Sequence, residues 1–184
     1  MRRKKGFTIV ETLVAIAILM IAIAGPLSIA SKGLTSAVYA RDQMVATFLA
    51  QESMEKIVNV KDNNIDYNLT AATPVPWTDG FLCDSTATCD ADAAEGITLD
   101  SSSCSTSIDS YLPGCRLFFN PATSAYGRSS ASANPTQFYR HYTIGDESGN
   151  TNAEERTVHV FVSWKEGTIP YQIDLSSQLL DVLR

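Results

Sequence analysis

Twenty consecutive positions, 12 to 31, hold no charged residue, and the flanking charges are Glu11 and Lys32. A helix needs about 20 such residues to cross the hydrocarbon core of a bilayer. The central run from Leu13 to Ala24 is apolar all round, as lipid requires of a segment that must satisfy its own backbone. Arg2, Arg3, Lys4 and Lys5 precede it. Positive residues beside an apolar span stay in the cytoplasm, so the remainder of the chain is expected outside. That remainder is acidic. Of the 14 Lys and Arg residues four lie in the first five positions, leaving 10 against 20 Asp and Glu, a formal charge of −10. An acidic body argues against general binding to a nucleic-acid backbone, which needs Lys and Arg. A chain of 184 residues is long enough for one domain with its own core.

The pattern predicts one long helix from residue 7 to about 60. Gly25-Pro26 interrupts the apolar run. Proline lacks an N–H and crowds the carbonyl four residues back, so a kink or weakened turn is expected there rather than a stop. Beyond Lys32 the helix becomes amphipathic. Leu34, Val38, Val45, Leu49 and Ile57 recur at helical spacing, with Arg41, Asp42, Gln51, Glu55 and Lys56 on much of the rest. Asp62-Asn63-Asn64 is the expected end.

Residues 65 to about 135 read as a loop-rich region. They contain five prolines, serine runs and all four cysteines, Cys83, Cys89, Cys104 and Cys115, with a strand at Arg116–Phe119. The C-terminal third is more regular. A strand is expected over Tyr139–Ile144. In Thr157–Trp164, Val158, Val160, Val162 and Trp164 share one face, and after a short loop at 165–168 so do Ile169, Tyr171, Ile173 and Leu175. Two one-sided strands joined by a short loop make an antiparallel hairpin. The amphipathic helix supplies the complementary stripe. The expected class is α+β, a long N-terminal helix packed on a C-terminal antiparallel sheet.

The segment Lys4-Lys5-Gly6-Phe7-Thr8-Ile9-Val10-Glu11 carries the chemistry. A charge inside a membrane helix costs about 2.5–3.5 kcal/mol on insertion scales, so a carboxylate at the edge of this apolar span needs a reason to be there. Cleavage after Gly6 would supply one, by creating an amino terminus at Phe7. That amine lies within a helical turn of Glu11 in the same chain, and a neighbour's amine reaches it in a packed bundle. The second arrangement would fix the axial register between subunits, because any other offset leaves a carboxylate unpaired.

Gly6-Phe7-Thr8-Ile9-Val10-Glu11, with a short basic leader before it and an apolar run after it, resembles the prepilin motif of type IV pilins and of the pseudopilins of type II secretion and competence. The resemblance covers residues 1 to about 60. It implies that a membrane-embedded prepilin peptidase cuts between Gly6 and Phe7 and N-methylates Phe7. It also implies that the subunit waits in the inner or cytoplasmic membrane as a single-pass protein. From there its helix passes into a filament with other pilin or pseudopilin subunits, on an inner-membrane assembly platform. Glu11 matches the family's acidic residue. On this reading residues 1–6 are a leader, 7–30 the transmembrane and filament-core half of the helix, and 31–184 an extracytoplasmic domain. Gln51-Glu52-Ser53-Met54-Glu55 and the Val-x-Val-x-Trp strand resemble minor subunits.

Blander readings compete. Ala22-Ile23-Ala24 is the A-x-A pattern of a secretory signal peptide, which would release a secreted or tethered binding domain or enzyme. Glu11 near the start of the apolar region, Pro26 just past the cut and the continuing helix oppose it. The cysteines, spaced without any Cys-x2-Cys, favour structural disulfides over zinc, and four of them allow three pairings. Asp90-Ala91-Asp92 with Glu95 and Gly96 reads as a solvated acidic loop; calcium, which some pseudopilins bind, is the lesser reading, since an EF-hand's remaining ligands are absent. His141 and His159, with no Gly-x-Ser-x-Gly beside them, read as surface strand residues. No catalytic residue, metal or cofactor is expected.

Overall fold

Proline 26 does not end the helix. In a computed structural model of the chain, α1 runs from Ile9 to Thr70, 62 residues with Pro26 inside it. Residues 6–79, 88–92, 96–100, 115–128, 133–145 and 155–181 are described, the segments 88–92 and 96–100 by their backbone alone. Proline disfavours the helical conformation of the residue before it, partly through that residue's Cβ. Gly25 has no Cβ, and this eases the clash. The chain divides into two units, Met1–Asp42 and Gln43–Arg184.

In the first unit the helix is apolar and exposed on every side, from Ile9 through Leu19 to Ile29. It is long and apolar enough to cross a membrane, and none of its most apolar stretch is buried within the chain.

Among its described residues the second unit holds the rest of α1 and seven strands: β1 Thr88–Asp92, β2 Gly96–Asp100, β3 Arg116–Asn120, β4 Ala125–Gly127, β5 Asn134–Gly145, β6 Glu155–Glu166 and β7 Ile169–Leu180. All their pairings are antiparallel, and together they form one sheet. β5 is its centre. β6 lies along one side of β5, with β7 beyond it, the edge on that side among the described residues. On the other side β5 is shared between β3, which leads to β4, and β1, which leads to β2. The α+β class is as expected from sequence.

The core lies between α1 and the face of the sheet that carries Phe138, Tyr142 and Ile144 of β5 and Val158, Val160, Val162 and Trp164 of β6. The alternation read in β6 holds along its length. From the part of α1 in the second unit the buried residues are Ala46, Leu49, Ala50, Ser53, Met54 and Ile57; Asp42, expected on the polar face, is buried too. Their spacing of three and four keeps them on one helical face. This corrects the expected stripe. Leu49 and Ile57 belong to it, but Leu34 is exposed and Val45 only half-buried. Small residues such as Ala46, Ala50 and Ser53 let helix and sheet approach closely, and a pattern of large apolar residues does not reveal them. An aromatic row crosses the core face. Phe138 and Trp164 lie 6.3 Å apart, and Trp164 and Tyr171 5.6 Å apart.

Three further expectations are corrected. The helix passes through Asn63 and Asn64 and continues to Thr70. Its asparagines fasten the chain that follows. Asn68 donates to the Val75 carbonyl at 2.7 Å and accepts from the Val75 N–H at 2.8 Å, and Asn64 donates to the carbonyls of Trp77 and Asp79 at 3.1 and 2.6 Å. The stretch from 65 to 135 is richer in strands than its prolines and serines suggest, and Asp90–Asp92 lies in β1 rather than in a loop. Finally, β5 starts earlier than expected, at Asn134, and includes Pro135. The β3–β5 ladder shifts register between Arg116 and Phe118. There the side chains bridge: Arg116 Nε donates to the Thr136 carbonyl at 2.6 Å, and Thr136 Oγ1 donates to the Leu117 carbonyl at 2.7 Å.

Candidate processing and assembly site

Gly6, Phe7 and Thr8 precede the helix. Thr8 sits at the N-cap. Its Oγ1 accepts a hydrogen bond from the Glu11 N–H at 3.3 Å, and its carbonyl accepts from the Thr12 N–H, also at 3.3 Å. The first N–H groups of a helix have no intrahelical acceptor, so a threonine here fixes where the helix begins. Thr-x-x-Glu is a recognisable capping pattern, and it marks this start in the sequence. The cap has a chemical consequence. The Gly6–Phe7 bond lies outside the helix, exposed, with Phe7 80% accessible. A peptidase needs backbone that is not already locked in helical hydrogen bonds, and the cap leaves that bond free of them.

Glu11 lies in the first turn of α1. The partial positive charge of the helix start favours a carboxylate there. Among the described residues the carboxylate of Glu11 has no ion-pair partner. Gly6, Phe7 and Glu11 therefore fall within one short segment around the helix start. Gly25 and Pro26 lie on the exposed apolar helix beyond it.

Cys115 is buried and disulfide-bonded. Cys83 and Cys104 lie outside the described residues, and Cys89 is placed by its backbone in β1, opposite Leu99 and Tyr142. Among the described residues no cluster of three or more His, Cys, Asp or Glu could hold a metal ion.

Of the two histidines expected at the surface of strands, His159 is partly exposed and His141 is not. His141 is buried on the sheet, 5% exposed, with its ring stacked on Phe161 at 5.0 Å. Burial lowers its pKa from 6.5 to about 4, so it is neutral at physiological pH. His159 is partly exposed, stacks on the same Phe161 at 5.9 Å, and places Nδ1 3.2 Å from the Asp174 carboxylate. His159 stands opposite Thr143 of β5 and Ser176 of β7 in the sheet register.

Arg140 went unnoticed in the sequence. It is fully buried on the core face of β5, and its Nη1 donates to the Leu49 carbonyl at 3.1 Å and to Glu52 Oε2 at 3.0 Å. The signal for it was a basic residue at the core parity of a strand, facing a helix that carries a glutamate.

A family model described as the prokaryotic N-terminal methylation motif matches residues 1–25. No curated protein and no solved structure matches the chain. Beyond residue 25 the body is characterised by its fold. The chain thus carries at its N-terminus the type IV prepilin signature, the mark of a pilin-like protein processed by prepilin peptidase.

Proposed function

We propose that this chain is a structural subunit, in a minor role, of a type IV pilus or pseudopilus. Prepilin peptidase cuts it between Gly6 and Phe7 and methylates the new amine. The apolar helix then holds it in the inner membrane, N-terminus in the cytoplasm and body outside, until it enters a filament with other subunits. Residues 1–6 act as leader, 7–30 as membrane and filament-core helix, and 31–184 as the extracytoplasmic domain. The disulfide of Cys115 suits that compartment.

One observation carries the reading. A carboxylate without an ion-pair partner among the described residues stands beside the motif's cleavage site, at the head of a helix exposed on all sides. Such a helix must be covered by lipid or by other helices. Such a carboxylate is costly in either setting unless it meets a cation. A neighbour's Phe7 amine is a cation at the right depth.

Glu11→Ala tests this. Alanine inserts more easily than a carboxylate, so membrane insertion and leader removal should persist. Entry into filaments should fall about tenfold or more, the factor that 1.4 kcal/mol of lost pairing produces. The readout is the amount of leader-free protein that co-purifies with sheared fibres. Incorporation at the wild-type level would remove Glu11 from this role.

A further inference from the structure

β7 is an edge strand of 12 residues, and its pairing with β6 runs unbroken from Glu166↔Ile169 to Glu155↔Leu180. Among the described residues no other strand pairs with it. Only Gly167 and Thr168 separate the two strands. In a hairpin with a two-residue loop, the pair flanking the loop exchanges hydrogen bonds, and the pattern alternates from there. Ile169, Tyr171, Ile173, Leu175, Ser177 and Leu179 therefore bond β6. Gln172, Asp174, Ser176, Gln178 and Leu180 direct N–H and C=O groups to the outer edge. Pro170 falls at an outward position too, where its missing N–H costs the β6 ladder nothing.

Sheet edges of this length are ordinarily blunted by lysines, bulges, central prolines or brevity. β7 uses none of them along 172–180. It has no Lys or Arg, its one proline is its second residue, and its register with β6 shows no bulge. Its single charge, Asp174, is engaged by His159. An edge so long, regular and nearly neutral is a template for another strand.

We propose that the outer edge of β7, from Gln172 to Leu180, receives an extended segment of a different protein as an added strand. The geometry limits the alternatives. Among the described residues the sheet's other edges are β2, with five residues, and β4, with three, so a head-to-tail copy pairing through either would cover less than half of β7. Pairing β7 with β7 would set two bodies of the same formal charge, −10 each, against one another. The segment that fits alternates apolar and polar residues. Its apolar side chains lie beside Tyr171, Ile173 and Leu175, which β7 leaves half-buried while Val158, Val160 and Val162 of β6 are fully buried. Opposite Asp174 it carries a neutral or basic residue, since like charges across strands repel. This inference does not depend on whether the chain enters a filament.

The test is site-specific photocrosslinking of the full-length chain in the cells that express it, with the crosslinker placed in turn at Gln172, Ser176 and Leu180. These positions share the outer face. The docked strand should give crosslinks to one other protein, at partner positions spaced four residues apart in order. Ser176→Pro removes only an outward N–H, and should reduce the crosslink from Gln172 about tenfold, as loss of 1.4 kcal/mol of pairing would. Crosslinks to this chain's own residues, to a second copy, or to partner sites with no regular spacing would overturn the proposal, as would no crosslink at all. The spacing decides the matter even if Ser176→Pro proves unstable.

Discussion

Arg140 Nη1 lies 3.0 Å from Glu52 Oε2, so a fully buried cation on the central strand is held by a carboxylate on the helix that remains 30% exposed. The same nitrogen reaches the Leu49 carbonyl one turn earlier. This pair fixes how the helix of the second unit sits on its sheet, because sliding either element would strand the guanidinium in the core. The two partners are unequal. Removing Glu52 leaves a buried charge, and breaking such a pair costs about 3–5 kcal/mol. Removing Arg140 in favour of an apolar residue of similar length leaves a carboxylate that water can reach. Glu52→Ala should therefore lower the urea midpoint more than Arg140→Met, which should cost about 1 kcal/mol or less. Equal losses, or the reverse order, would show that the pair is not organised this way.

His141 predicts an acid limb in stability. Burial lowers its folded pKa from 6.5 to about 4, so the unfolded chain takes up a proton on this residue at higher pH than the folded chain does. Where the unfolded state binds more protons, stability falls as pH falls. The loss begins near 6.5, and is complete once pH passes the folded value near 4. Its full size is about 3 kcal/mol, from the width of that window. Denaturant titrations between the two pH values should show the loss in the wild type. His141→Phe should flatten it, leaving only the carboxylate contribution. An unchanged slope would place the proton uptake elsewhere.

Gly167 opens the β6–β7 turn with φ +62°, and nothing lies within 4 Å of where its Cβ would be. The cost of a side chain there is purely conformational. Gly167→Ala should destabilise by about 1–2 kcal/mol. Gly167→Asn should recover much of that, since asparagine tolerates the left-handed region. Equal effects of the two, read from denaturation midpoints, would rule out the backbone explanation.

What could be read from the sequence depended on how local the cause was. The alternation of Val158, Val160, Val162 and Trp164 is a property of one strand, and it indicated the core face directly. Gly6 to Glu11 is a contiguous motif, and the uncharged run after it needs no partner to be interpreted. Arg140 was different, because its acceptors lie 88 and 91 residues away in the chain. Ala46, Ala50 and Ser53 were missed because small residues mark a close approach only once the opposing surface is known. Asn64 resembled a helix stop, since asparagine competes for backbone hydrogen bonds. In the fold its amide satisfies the chain at Trp77 and Asp79 instead. The strands before Cys115 were hidden among serines and prolines, in a stretch whose pairing with β5 is long-range.

The most direct test of the account is the mass of the N-terminal peptide of the protein taken from the membrane. The account predicts that it begins at Phe7 with a methylated amine, the residues Met1 to Gly6 having been removed. It also predicts that replacing Gly6 with a bulkier residue leaves the precursor uncut, because a side chain beside the scissile bond would crowd the peptidase. A peptide beginning at Gly25 would identify an ordinary signal sequence and contradict the account, and an intact Met1 in the membrane-held wild-type protein would contradict it equally.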